Sequence, residues 1–184
     1  MKIGVCSLGC DKNRVDSENM LAYMQEAGHI ITPDPSDAEI IVVNTCGFID
    51  SAKKEAIDTI LEMAEYKKQN CKYLIVSGCL SQRYMQDLCD GFDEVDAFIG
   101  TSNYHNLPLV VARLQNGEKK IVLKNDKDDR NFTSKRVLTT PCHYAYLKIA
   151  EGCDNRCTYC AIPSIRGKFT SRPIEELVAE ATTL

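Results

Sequence analysis

The chain has 184 residues, 44% of them hydrophobic and 26% charged, enough apolar material for one sizeable domain or two small ones. A net charge of −4 gives no broad basic footprint for nucleic acid, and no apolar run approaches the roughly 20 residues that span a bilayer. With no basic start leading into an apolar signal core, a cytoplasmic protein without membrane contact is expected, and its ten cysteines read as metal ligands or buried thiols before a disulfide framework.

Residues 2–8 (KIGVCSL) predict a buried strand that stops at Gly9-Cys10. Residues 14–27 then carry Met20, Tyr23, Met24 and Ala27 at helical spacing, with Gly28 as a helix stop. A turn at Pro33-Asp34-Pro35-Ser36 precedes a second strand over residues 39–43 (EIIVV), which runs into Asn44-Thr45-Cys46. Ala56, Ile57, Ile60, Leu61 and Ala64 mark one face of a helix over residues 51–69. Residues 72–76 (KYLIV) form a third strand closed by Ser77-Gly78-Cys79, residues 81–88 a helix, and residues 96–99 (DAFI) a fourth strand. A helix over residues 103–114, with Leu107, Leu109, Val110 and Leu114, closes a first domain of residues 1–115.

Strands alternating with helices predict an α/β fold, a three-layer parallel sheet of Rossmann or flavodoxin type. Right-handed crossovers place the C-terminal ends of all its strands on one edge. Cys10, Cys46 and Cys79 each fall within two or three residues of a successive strand end, so the fold brings them to the rim where open parallel sheets bind ligands. Three thiols at equivalent positions read as a three-thiolate site, and Gly9, Gly47 and Gly78 beside them let backbone crowd a bound object. The alternative is that these cysteines pack as small apolar residues, as Cys6, Cys71 and Cys89 are expected to do. Neither a P-loop nor a G-x-G-x-x-G fingerprint is present, which argues against a nucleotide at this rim.

Residues 116–140 read as a connector. Residues 120–123 (KIVL) are its one apolar run, and residues 124–135 mix charges of both signs without apolar period, so they cannot build a core. Arg130, Lys135 and Arg136 are candidates for contact with an anionic partner. Residues 141–184 then open a second domain. Within YLKIAEGCDNRCTYC (residues 146–160), Cys153, Cys157 and Cys160 make a C-x3-C-x2-C array in a loop too polar for a buried strand. Three ligands leave a [4Fe–4S] cluster with one open iron, whereas a structural zinc site wants a fourth protein ligand, for which Cys142 or His143 is the candidate. Pro173 suits a helix start, Glu175 and Glu176 complement the helix dipole, and Ile174, Leu177, Val178 and Ala181 form an apolar stripe. One strand and about three helical turns cannot bury that stripe, so these residues read as the first unit of a β/α domain cut short.

The array, with Tyr159 just before its last cysteine, resembles the signature of the radical S-adenosylmethionine enzymes. The resemblance implies that Cys153, Cys157 and Cys160 ligate a [4Fe–4S] cluster whose open iron binds S-adenosylmethionine beside Tyr159, and that an electron from the cluster cleaves the sulfonium to a deoxyadenosyl radical. Over nearly its whole length the chain resembles the methylthiotransferases of that group. The stretches SLGCDKNRVDSE (residues 7–18), NTCGFIDSAKKEAI (residues 44–57), SGCLSQRY (residues 77–84) and EGCDNRCTYCAIPSIRG (residues 151–167) are similar to the family motifs, in order. By this resemblance Cys10, Cys46 and Cys79 ligate an auxiliary [4Fe–4S] cluster, and residues 141–184 begin a radical S-adenosylmethionine partial (β/α) barrel. Asp16, Ser17, Glu18, Asn44 and Arg166 match motif positions without an assigned role, capping or packing being the alternative to site support.

The wording of the first two motifs resembles the branch that modifies an aspartate β-carbon of small-subunit ribosomal protein uS12, although Asp11 stands where that branch commonly has proline. The resemblance implies a methylthio group built on the auxiliary cluster, a radical formed at the second, and an external electron donor. It also implies a separate C-terminal domain of RNA-associated type, beyond residue 184, without which these residues are expected to be inactive. Two alternatives stand beside it: the branch that modifies isopentenyladenosine in transfer RNA, and a non-catalytic metal- or cluster-binding module.

Overall fold

The computed structural model describes residues 1–124 and 135–184. Six parallel strands, β1 (Lys2–Ser7), β2 (Ile30–Ile31), β3 (Ile40–Thr45), β4 (Tyr73–Gly78), β5 (Ala97–Ile99) and β6 (Ile121–Leu123), make one sheet in the order β2-β1-β3-β4-β5-β6. The strands are apolar on both faces because both faces are covered, the usual condition of a parallel sheet. Ile40, Val42, Ile75 and Ile99 pack on one side with Met20 and Met24 of α1 (Asp11–Glu26) and Leu107, Val110, Val111 and Leu114 of α5 (Leu107–Gln115). Ile41, Val43, Leu74, Val76 and Phe98 pack on the other with Ala56, Ile60 and Met63 of α2 (Asp50–Glu65), Leu80 of α3 (Cys79–Arg83), and Met85 and Leu88 of α4 (Met85–Gly91). The predicted three-layer α/β architecture is therefore the observed one.

Several boundaries differ from the sequence reading, each for a physical reason. The helix expected from residue 14 begins at Asp11, because an acidic residue suits a first turn even where no apolar stripe announces it. The helix expected over residues 81–88 is two short ones, since the chain leaves helical geometry at Tyr84. Ile30–Ile31 is too short to stand out as periodicity, yet it becomes the edge strand beside β1. Ile121–Leu123, in the stretch read as connector, pairs with β5 and extends the sheet past residue 115. No described helix is long and apolar enough to cross a membrane.

Past the sheet, β7 (Ala150–Glu151) and β8 (Thr170–Ser171) form a two-stranded antiparallel pair, with α6 (Ile162–Arg166) between them and α7 (Ile174–Thr183) after them. No closed barrel forms among the described residues. The reason is local: a parallel neighbour needs a crossover from a further strand, whereas an antiparallel partner needs only a returning loop. The apolar stripe of α7 is accordingly open, with Ile174 and Val178 exposed. α6 packs on α3, and the Thr101 hydroxyl donates to the Ile165 carbonyl at 3.2 Å, so the second segment lies against the rim of the sheet.

Candidate metal centre

Strand register decides where the first three cysteines fall. Thr45 pairs with Gly78, so Cys46 and Cys79 are each the next residue beyond an aligned pair. Ser7 pairs with Asn44, which brings Gly9 level with Cys46 and puts Cys10 one residue further out. β1, β3 and β4 are neighbours, and β1 sits where the strand order reverses, the switch point at which open α/β sheets take ligands. Cys10 caps α1 and is exposed, Cys46 is half-buried, and Cys79 is buried at the start of α3.

The glycines let the loops at this rim pack closely on one another. A Cβ on Gly9 would sit 2.5 Å from the Cβ of Cys46, and one on Gly47 would sit 2.8 Å from the Cα of Leu80. Gly78 has φ of +96°, and a Cβ there would meet Asn44 Oδ1 and the Thr45 carbonyl at 2.4 Å. Three thiol donors on adjacent loops packed this tightly suit a soft-metal group held between them. Burial pushes the Cys79 thiol up from its ordinary value, while the Arg166 guanidinium opposes that shift and favours the thiolate a metal requires.

The second array lies in the loop between β7 and α6. Gly152, at φ +73°, and Gly167, at φ +72°, pinch its two ends: the Cys153 N–H donates to the Gly167 carbonyl at 3.1 Å, and a Cβ on Gly152 would stand 2.1 Å from the Lys168 carbonyl. The Cys160 N–H donates to the Cys157 carbonyl at 3.1 Å, which folds those two cysteines into one turn. Cys157 is exposed and Tyr159 is 86% exposed, so this side of the loop faces open space. Among the described residues no three Cys, His, Asp or Glu side chains converge on a single ion, and neither Cys142 nor His143 completes such a group. A cubane presents its ligands to different irons, so its thiolates need not converge as those of one ion do. No disulfide links any of the ten cysteines, all of which are described.

Between the two arrays lies a buried ionic cluster that accounts for the residues left without a role. Asp16 is fully buried and takes Arg166 NH1 at 3.1 Å, the Tyr104 hydroxyl at 3.1 Å and the ammonium of Lys148. Lys148 and Arg166 also reach Glu151, at 3.0 Å and 2.8 Å. Burial alone would raise the Glu151 carboxyl, but Arg166 and Lys148 outweigh it and hold it down at about 2. Glu18, also fully buried, accepts from Arg136 Nε at 3.0 Å and from the Thr139 N–H and hydroxyl at 2.9 Å each. Asn44 donates to the Asn13 carbonyl at 2.8 Å and to the Ser17 hydroxyl at 2.9 Å.

Arg136 corrects an expectation. Read from sequence as a candidate for an anionic partner, it is instead consumed internally by Glu18 and by Glu180, at 2.7 Å from the latter, with its side chain 2% exposed. Lys135 pairs with Glu26 on the surface, and Arg130 lies outside the described residues. Sequence reading missed Asn13, Lys148 and Glu151. The available signal was a lysine inside an apolar run at residues 146–150 and four consecutive polar residues, Asp16 to Asn19, in the middle of a helix that also supplies core methionines.

Comparison with known proteins follows the same lines. The family described as Uncharacterized protein family UPF0004 matches residues 2–100. The chain is 54% identical over 186 residues to the ribosomal protein uS12 methylthiotransferase RimO of Caldicellulosiruptor saccharolyticus, covering 100% of this chain and 42% of that protein. It is 54% identical over 185 residues to the RimO protein of Clostridium tetani, covering 100% of this chain and 41% of that one. The RimO protein of Thermoanaerobacter sp. is 45% identical over 182 residues, 99% of this chain and 42% of its own length. The chain thus spans about two fifths of the length of these curated relatives.

Proposed function

The chain belongs to the UPF0004 family, and on that premise we propose that it is the cluster-bearing part of a cytoplasmic methylthiotransferase acting on the β-carbon of an aspartate in ribosomal protein uS12. The observation that carries the reading is the arrival of Cys10, Cys46 and Cys79 at the ends of three adjacent parallel strands, on loops that Gly9, Gly47 and Gly78 allow to pack closely on one another. These cysteines would hold an auxiliary [4Fe–4S] cluster. Cys153, Cys157 and Cys160 would hold a second, with S-adenosylmethionine at its open iron and Tyr159 beside it. When bound, these groups supply the one-electron cleavage of S-adenosylmethionine and the sulfur to be transferred, with electrons from an external donor.

The chain's own contribution is position. Gly152 and Gly167 fix the ends of the second cysteine loop, and α6 seats that loop against the helix that begins at Cys79. Two thiolate sets that must serve one substrate are thereby part of one packed body. Tyr159 and Cys157 face outward, where a cofactor can enter. The full-length protein, reconstituted anaerobically with iron and sulfide and supplied with S-adenosylmethionine and reductant, is expected to thiomethylate uS12 and to leave transfer RNA unmodified, as read by mass spectrometry of both. Thiomethylated RNA without thiomethylated uS12 would reject the substrate assignment, and zinc retained in place of iron would reject the enzyme class.

A further inference from the structure

The loops that carry Cys10, Cys46 and Cys79 meet at a side chain that is not a thiol. Asn13, in the first turn of α1, is fully buried. Its Nδ2 donates to the Leu8 carbonyl, two residues before Cys10, and to the Thr45 carbonyl, one residue before Cys46, each at 2.9 Å. Its Oδ1 faces the Sγ of Cys79 at 3.8 Å and accepts from Arg166 NH2 at 2.6 Å. Both amide hydrogens and the amide oxygen are therefore engaged, and a flipped or shortened side chain would lose contacts to three loops at once.

Arg166, 5% exposed, continues the chain of contacts. Its NH1 reaches Asp16 Oδ2 at 3.1 Å and Glu151 Oε2 at 2.8 Å, and the other oxygen of Glu151 accepts from the Gly152 N–H at 3.2 Å, immediately before Cys153. Hydrogen bonds thus run without a break from the backbone ahead of Cys10 and Cys46, past Cys79, to the backbone ahead of Cys153. A guanidinium is suited to this place because it is planar and donates in two directions from one rigid fork, which an ammonium cannot reproduce.

We propose that Asn13 and Arg166 are a positioning pair, which holds the two thiolate sets at one separation and keeps a permanent positive charge beside Cys79. The proposal rests on the reading of both sets as cluster ligands. A fixed buried cation stabilises the more negative, reduced form of a neighbouring cluster, so its removal lowers that cluster's reduction potential. Loss of the fork loosens the second loop relative to the rim.

The test uses full-length protein reconstituted with iron and sulfide, as wild type and as Arg166→Gln and Arg166→Lys. Electron paramagnetic resonance reads the dipolar coupling between the two reduced clusters. A redox titration in a Cys153→Ala, Cys157→Ala, Cys160→Ala background reads the rim cluster alone. In Arg166→Gln the rim cluster is expected to titrate at lower potential than wild type, and the distribution of inter-cluster distances to broaden. Arg166→Lys is expected to recover the potential and to keep the broad distribution. Two clusters in Arg166→Gln with potential and distribution both unchanged overturn the pairing while leaving the proposed function intact. Should Arg166→Gln fail to fold, a distribution in Arg166→Lys as narrow as wild type overturns the pairing just the same. Fewer than two clusters in the wild type would remove the proposed function and this inference with it.

Discussion

Gly78 shows how one residue constrains the rim. Its φ of +96° and ψ of −158° belong to a region that only glycine occupies without strain, and the space a Cβ needs is already filled by Asn44 Oδ1 and the Thr45 carbonyl. Gly78→Ala is expected to destabilise the fold by about 3 kcal/mol, the upper end of the cost of one such backbone strain, as a lowered urea midpoint. Single thiols differ as sharply. Burial pushes Cys71 up to about 11, whereas Cys10 and Cys157 are exposed. In metal-free native protein, alkylation at pH 8 followed by peptide mass spectrometry is expected to label Cys10 and Cys157 well before Cys71. Because the thiolate is the reactive form, Cys71 labelling should accelerate roughly tenfold per pH unit up to about 11, provided the fold persists.

At the scale of an element, α1 is unusual in burying charged residues as well as methionines. Met20 and Met24 face the sheet core, while Asp16 and Glu18 are sealed beneath residues 136–166. A carboxylate cannot remain there alone, and Arg136, Lys148 and Arg166 are its compensation. Glu18→Gln leaves Arg136 short of one charge partner in a dry site and is expected to cost about 3 kcal/mol by equilibrium denaturation. Glu180 still faces Arg136 in that variant, so replacing Glu180 as well strands the guanidinium and should cost more than the sum of the two single changes. Hydrogen exchange should locate the loss at Val137 and Thr139, whose N–H groups donate to the Glu18 carbonyl and to its side chain.

For the molecule as a whole, the proposed pair of clusters predicts about eight irons per full-length chain, falling to about four when Cys10, Cys46 and Cys79 are all alanine, by elemental analysis after anaerobic reconstitution. How much of this was legible beforehand depended on the range of the interactions. The longer central strands announced themselves because EIIVV and KYLIV are continuous apolar runs, whereas the short β2 and β6 did not, and the cysteine rim followed from topology alone. The ionic cluster was not legible, since its members, from Asn13 to Glu180, are brought together only by docking of the second segment. Arg136 was misread for the same reason: a charge in a polar stretch looks solvated until its distant partner is known.

The all-parallel sheet has one further consequence. Every crossover returns the chain to the same edge, so a helical turn gained or lost in α2 would change the count of residues between Cys46 and Cys79 while neither sulfur moved. A search that demanded fixed intervals between those cysteines would overlook kin with three cysteines at the same rim. One that asked for a cysteine within three residues of each of three neighbouring strand ends would find them.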